Sequence, residues 1–198
     1  MNRVYGYETA PAFDGSSETV PAGGHVCKIL RTAVEKSASS GADMLVLLLE
    51  IAEGSPLDGI FRRKFDARRA TNADAKWPCI YRQPTLDKDG NCSPYFKGLI
   101  KAIEESNPGY SFTASWDEKT LVGKSVGMVF REEEYVNNDG EIRTTVKPAF
   151  PRSVEAVRAG VPVPDIKRLD PVKRGQAAAF SALGVMPEVT DEFDFPFQ

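Results

Sequence analysis

The sequence has few of the residues on which many enzymes and disulfide-rich proteins depend. Its 198 residues include one histidine, His25, and three cysteines, Cys27, Cys79 and Cys92. An odd number of irregularly spaced cysteines fits reduced thiols better than a disulfide framework. The longest apolar run, 44–49, is much shorter than the about 20 residues of a membrane helix, and the first residues lack a secretory signal. We therefore expect a cytoplasmic protein without a membrane segment.

Motifs of catalysis and metal binding are also scarce. No serine lies in a Gly-x-Ser-x-Gly motif, so hydrolase chemistry is poorly supported. His25, Cys27, Cys79 and Cys92 offer four zinc ligands in principle, but without a Cys-x-x-Cys pair we favour buried thiols. The segment 87–92 begins like a calcium loop but lacks the glycine and glutamate that such a loop needs. We expect no enzyme activity, no cofactor and no metal site.

Charge is distributed unevenly along the chain, although the formal net charge is only −3. Residues 61–82 hold seven basic and two acidic side chains, whereas residues 187–198 hold four acidic and no basic ones. The consecutive glutamates at 132–134 are better explained as a solvated strand end than as a nuclease metal cluster. The overall charge does not by itself indicate nucleic-acid binding.

Hydrophobic patterns predict five strands and one helix. The predicted strands cover residues 24–36, 44–51, 59–65, 124–136 and 141–150, and the helix covers residues 94–106. The second strand is continuously apolar, which indicates cover on both faces. Pro94 at the start of an i, i+3, i+4, i+7 apolar pattern favours the helix, and Asn137–Gly140 favours a hairpin turn. Residues 66–93 form a long irregular segment that we expect to be a functional loop.

The resulting order β-β-β-α-β-β is that of an OB-fold, a five-stranded Greek-key barrel. An SH3-like or other small barrel is the alternative. OB-folds bind oligonucleotides with strands 2 and 3 and with the loops between strands 1 and 2 and strands 4 and 5. We predict an irregular leader, an OB-fold domain, a proline-rich extension with a short helix at 176–183, and a disordered acidic tail. Their ranges are 1–19, 20–150, 151–186 and 187–198.

The stretch from Phe61 to Arg82 has the composition that binding of a nucleic-acid single strand requires. Basic side chains neutralise phosphates, and aromatic rings stack on bases. Arg143 and Lys147 share one face of the fifth strand and extend this pattern. The alternative is that Phe61 packs in the core and that Trp77 covers the barrel edge. The predicted nucleic-acid-binding residues are Phe61, Arg62, Arg63, Lys64, Arg68, Arg69, Lys76, Trp77, Tyr81, Arg82, Arg143 and Lys147.

Three segments and the C-terminus carry a family resemblance. The segments are PAGGHVCKILRTA, SPYFKGLIKAIEESNPGYSF and LVGKSVGMVFREEEYVNNDGEIRTTVKPAF. With them the chain resembles single-stranded-DNA-binding proteins of bacteriophages and mobile elements. The end of the chain is similar to the acidic Pro-Phe tip of bacterial single-stranded-DNA-binding proteins, although Gln198 follows the Pro-Phe pair here. The matching residues are Asp191, Glu192, Phe193, Asp194, Phe195, Pro196 and Phe197.

The resemblance implies binding and protection of single-stranded DNA during replication or recombination, in the cytoplasm of a bacterial host cell. It also implies that the acidic tip recruits replication and recombination proteins. A metal-dependent nucleic-acid enzyme and a structural or adaptor β-barrel of a virion are the two rival functions. The choice between DNA and RNA stays open, as does assembly into a homo-oligomer.

Overall fold

The computed structural model describes residues 18–37, 41–172, 174 and 175. This part of the chain is mainly β, with five strands in one antiparallel sheet. The strands are β1 (Gly23–Lys36), β2 (Asp43–Ile51), β3 (Ile80–Pro84), β4 (Ser125–Val136) and β5 (Ile142–Arg152). The α-helices are α1 (Ile60–Arg69), α2 (Pro94–Ser106) and α3 (Val154–Ala159).

The strand order across the sheet is β3-β2-β1-β4-β5. The first strand is central because its N-terminal half pairs with β4 and most of its length pairs with β2. A bulge between Ile29 and Arg31 interrupts the pairing of β1 with β2, and bulges bend the strand that contains them. At the two edges of the sheet, Cα atoms of β3 and β5 come within 8 Å of each other.

Most of the predicted elements are confirmed. The described part of the chain is mainly β with five strands and has a helix between the third and the fourth strand. All residues from Leu45 to Ile51 are buried, as the continuous apolar run predicted. The second helix begins at Pro94 and turns its apolar face, including Leu99 and Ile103, into the core.

The predicted third strand over 59–65 is wrong, because these residues begin α1. The carboxylate of Glu50 accepts hydrogen bonds from the backbone N–H groups of Phe61 (3.0 Å) and Arg62 (2.7 Å), which would otherwise lack partners at a helix N-terminus. Phe61 and Phe65 are one helical turn apart, and both are buried. The true third strand, β3, lies inside the segment that was expected to be an irregular loop.

The third helix packs closely on β1 and β4. A Cβ atom at Gly127 would lie 2.6 Å from one methyl group of Val157 on α3, and one at Gly24 would lie 3.1 Å from its other methyl group. Glycine at these two positions therefore allows the approach. None of the helices in the described ranges is long and apolar enough to cross a membrane.

Several predictions lie outside the described residues. They concern residues 1–17 of the leader, the short helix at 176–183 and the acidic tail at 187–198 with its partner-binding residues.

The hydrogen bonds of Glu50 lead to a stability prediction. Glu50→Gln replaces one acceptor oxygen with an amide that cannot accept a backbone N–H, and it removes a negative charge from a helix N-terminus. We expect the free energy of unfolding to fall by about 2 kcal/mol, measured by urea denaturation. Glu53→Gln, in the exposed loop that follows β2, is the matched control and should change it by less than about 0.5 kcal/mol. Equal stability of the two variants would show that Glu50 does not hold α1.

Candidate nucleic-acid interface

The first helix carries five of the predicted cations. Arg62, Arg63, Arg68 and Arg69 are exposed, and Lys64 is half-buried. Partial burial and the positive charge of Arg68 lower the pKa of Lys64, while Glu18 opposes this shift. The guanidinium of Arg63 is 2.9 Å from the Glu18 carboxylate. This helix is therefore a crowded basic surface with one of its cations already paired.

The three predicted stacking rings are core residues. Phe61 packs against Phe130 with 6.2 Å between ring centroids, and Trp77 is only 6% exposed. The indole N–H of Trp77 donates to the backbone oxygen of Leu49 at 2.9 Å. Burial raises the pKa of Tyr81 to about 12, and its hydroxyl donates to Gln83. These rings do not offer their faces to a base, which supports the core alternative.

Two further predicted cations lie outside α1, and one cation of α1 covers a predicted stacking ring. Arg62 lies over the Trp77 ring at 5.2 Å, so it covers the ring that was expected to stack on bases. Arg82 on β3 forms a 3.4 Å ion pair with Glu35 on β1. Lys76 is exposed just before Trp77.

The strand pair β4–β5 brings the remaining predicted cations together with residues that the sequence analysis did not select. Cross-strand partners lie on the same face of an antiparallel pair. Here the pairs are Val129–Phe150, Arg131–Lys147, Glu133–Thr145 and Tyr135–Arg143. We call the polar and aromatic members of this row the hairpin face: Arg131, Glu133, Tyr135, Arg143, Thr145, Lys147 and Phe150. The opposite face of β4 turns Val126, Met128 and Phe130 into the core.

Two rings of the hairpin face are open to solvent. Tyr135 is 41% exposed and Phe150 is 37% exposed. The guanidinium of Arg131 lies 5.4 Å from the centre of the Phe150 ring, and Tyr135 is the cross-strand partner of Arg143. Alternation of arginine, glutamate and tyrosine along β4 was the sequence signal that could have identified this face.

A carboxylate lies among the cations of the hairpin face. Glu133 accepts a 2.9 Å hydrogen bond from Arg131 and is 3.6 Å from the Lys167 ammonium group. Burial alone would raise the pKa of Glu133, but the hydrogen bond from Arg131 and the charges of Lys167, Arg131 and Lys147 outweigh burial and lower it. Glu133 is therefore charged at neutral pH and surrounded by three cations.

Lys167 reaches this face from a distant part of the chain. Residues 161–172, which we call the extension, return along β4 after α3. The backbone N–H of Lys167 donates to Glu132, and its carbonyl accepts from the N–H of Glu134. The Glu134 carboxylate accepts from the backbone N–H of Leu169 and from Arg174, both at 3.0 Å. The interpretation of 132–134 as a solvated strand end holds for Glu132, which is exposed, but is wrong for Glu133 and Glu134, which are half-buried and paired.

The histidine and cysteines do not form a recognisable site. Burial raises the pKa of both Cys27 and Cys79, and proximity to each other and to Glu50 adds to the effect for Cys79. Cys92 is exposed, and the His25 ring contacts the carbonyl of Pro21. Within the described ranges, no three side chains of the His, Cys, Asp and Glu types are grouped as metal ligands.

An open cleft of about 600 Å³ lies elsewhere, between β1, the loop after β2 and α3. Lys28, Arg158 and His25 line it together with Glu53. Both signs of charge are therefore present, and none of the predicted nucleic-acid-binding residues borders the cleft.

No protein-family model matches the chain, and no curated protein is similar enough to count as a relative. Function is therefore inferred from the residues and their geometry.

Burial of Trp77 leads to a second prediction. Trp77→Ala should lower the free energy of unfolding by about 3–5 kcal/mol, because it leaves a cavity and removes the hydrogen bond to Leu49. Trp116→Ala is the control, because Trp116 is 66% exposed and should contribute less than about 1 kcal/mol. Chemical denaturation of both variants tests this. An intact Trp77→Ala protein with impaired oligonucleotide binding would instead return Trp77 to the binding surface.

Proposed function

We propose that this protein binds single-stranded nucleic acid, with single-stranded DNA as the expected ligand, through the hairpin face of β4 and β5. The observation that carries the proposal is the alternation of exposed rings with cations on one strand pair. Tyr135 and Phe150 supply flat surfaces, and Arg131, Arg143 and Lys147 supply positive charge. This is the combination by which sequence-independent single-strand binding works.

The topology supports a binding barrel of the OB type. Its five strands follow the neighbour order β3-β2-β1-β4-β5, and β3 approaches β5 across the remaining gap. We propose that the sheet closes there into a Greek-key barrel, with α2 next to the closure. The hairpin turn at 137–141 then corresponds to the loop between strands 4 and 5, which in OB-folds contacts the ligand.

The mechanism follows from the two kinds of side chain. Each base presents a π-face of similar chemistry, so stacking on Tyr135 and Phe150 tolerates any sequence. Each phosphate neutralised by a lysine or arginine releases condensed counterions, which makes the affinity depend on salt. The cations on α1 add positive potential that attracts the strand from a distance. Protection of the strand requires only occupancy, so no bond is made or broken.

Recruitment of replication or recombination proteins is proposed for the acidic tail on sequence grounds. Asp191, Glu192 and Asp194 alternate with or adjoin Phe193, Phe195 and Phe197. An apolar pocket with a basic rim on the partner would recognise both the rings and the carboxylates.

The exposed ring leads to a third prediction. Tyr135→Ala should weaken binding of a labelled single-stranded oligonucleotide by about 1–3 kcal/mol, because one stacking surface is lost. Tyr95→Ala is the matched control, since Tyr95 is a 73% exposed tyrosine on α2, outside the hairpin face. Fluorescence anisotropy measures both affinities. The hairpin face is not the binding surface if the two variants bind equally well.

The cations lead to a fourth prediction. A plot of log affinity against log salt should be steep for the unmodified protein and shallower by about 0.7 for Lys147→Ala, because one phosphate contact is lost. Lys88→Ala, in the exposed turn after β3, should leave the slope unchanged. A flat salt dependence of the unmodified protein would contradict nucleic-acid binding altogether.

The same assay distinguishes the rival functions. A metal-dependent nuclease would shorten the labelled strand during incubation with Mg²⁺ or Mn²⁺. A virion adaptor would show no salt-dependent binding to any oligonucleotide.

A further inference from the structure

One feature of the hairpin face is still unexplained: the Glu133 carboxylate lies among its cations. A surface that binds phosphates is expected to exclude carboxylates, because like charges compete for the same cations. Glu133 nevertheless lies within reach of Arg131 and Lys167, and the positive charge of Lys147 also acts on it.

Arg131 makes only part of the contact that its guanidinium group allows. Its terminal Nη2 donates to Glu133 at 2.9 Å, but its buried Nε–H has no acceptor among the described residues. An arginine side chain can present Nε–H and Nη2–H together as a fork to two oxygens of one phosphate. A buried donor without an acceptor is costly, so the free protein holds Arg131 in an incomplete pairing.

We propose that Glu133 is a built-in competitor for a phosphate site formed by Arg131, Lys147 and Lys167. This inference rests on the proposed function and deepens it. In the free protein the Glu133 carboxylate forms ion pairs with Arg131 and Lys167, and a backbone phosphate of the bound strand displaces the carboxylate. The phosphate then accepts from both Nε–H and Nη2–H of Arg131, which the Glu133 carboxylate does not do.

The exchange has two consequences. Glu133 lowers the affinity for any single strand, because its ion pairs must be broken before the phosphate binds. It also keeps the cations from attracting other anions strongly, since only a ligand with further contacts to Tyr135 and Phe150 compensates for the lost pairs. The ammonium group of Lys167 belongs to the extension, so the extension is part of the phosphate site.

The first test compares Glu133→Gln with Glu132→Gln. Both changes remove one negative charge from adjacent positions, but side chains alternate along a strand and Glu132 lies on the other face. We expect Glu133→Gln to bind a labelled single strand about two- to fivefold more tightly, because a partly buried ion pair no longer has to be broken, with a salt slope steeper by about 0.7. Equal affinities of the two variants would overturn the inference, as would weaker binding by Glu133→Gln.

A second test examines the arginine fork. Arg131→Lys keeps the charge but cannot present two donors in a fixed plane. In this background Glu133→Gln should gain clearly less affinity than it gains alone, which a double-mutant cycle measures. A gain of the same size in both backgrounds would show that Glu133 does not act through Arg131. Thermal unfolding of each variant verifies that the β4–β5 pair is intact.

A third measurement separates this inference from the proposed function. The Nε–H resonance of Arg131 is followed by NMR during titration with pyrophosphate, and we expect a larger shift in Glu133→Gln than in the unmodified protein. If oligonucleotides do not bind but this difference is present, the phosphate site stands and the proposed function fails. If oligonucleotides bind but the difference is absent, the proposed function stands and the competitor role fails. Absence of both contradicts both.

Discussion

The carboxylate of Glu50 is the contact on which the arrangement of the molecule depends. It lies on a buried strand and accepts hydrogen bonds from the first turn of α1, which would otherwise have buried, unpaired N–H groups. With α1 held there, Phe61 reaches Phe130 on β4, and Phe65 packs against Trp77 at 5.3 Å between ring centroids. One charged side chain thus links β2, the basic helix and the core of the strand pair that carries the hairpin face.

The same contact explains why one element could not be predicted from the sequence. Phe61 and Phe65 are compatible with a strand, in which every second residue points inward, and with a helix, in which every fourth does. Local signals did not decide between them, because the group that caps α1 comes from Glu50, about ten residues earlier. By contrast, the limits of β2, α2 and the β4–β5 turn follow from local features: a continuous apolar run, Pro94, and the Asn-Asn-Asp-Gly sequence.

The candidate site was only partly predictable for a related reason. Arg143 and Lys147 could be placed on one face, because alternation along a single strand is a property of the sequence. Pairing of Tyr135 with Arg143 depends on the register between strands, and Lys167 arrives through backbone bonds from a segment beyond α3. Composition identified the right mixture of rings and cations around residues 61–82. It could not show that hydrogen bonding and packing had placed those rings in the core.

The extension shows that the ordered packing of the chain continues past residue 150, the predicted end of the OB-fold domain. Beyond Phe130, β4 does not pair with β1, because β1 begins at Gly23 opposite that residue. Lys167 closes this gap through its two backbone bonds, so an otherwise open strand edge is covered. A chain cut at the predicted boundary after residue 150 would expose that edge and its glutamates. By covering this strand edge, the extension reduces edge-to-edge association of chains, and it also connects the sheet to the tail.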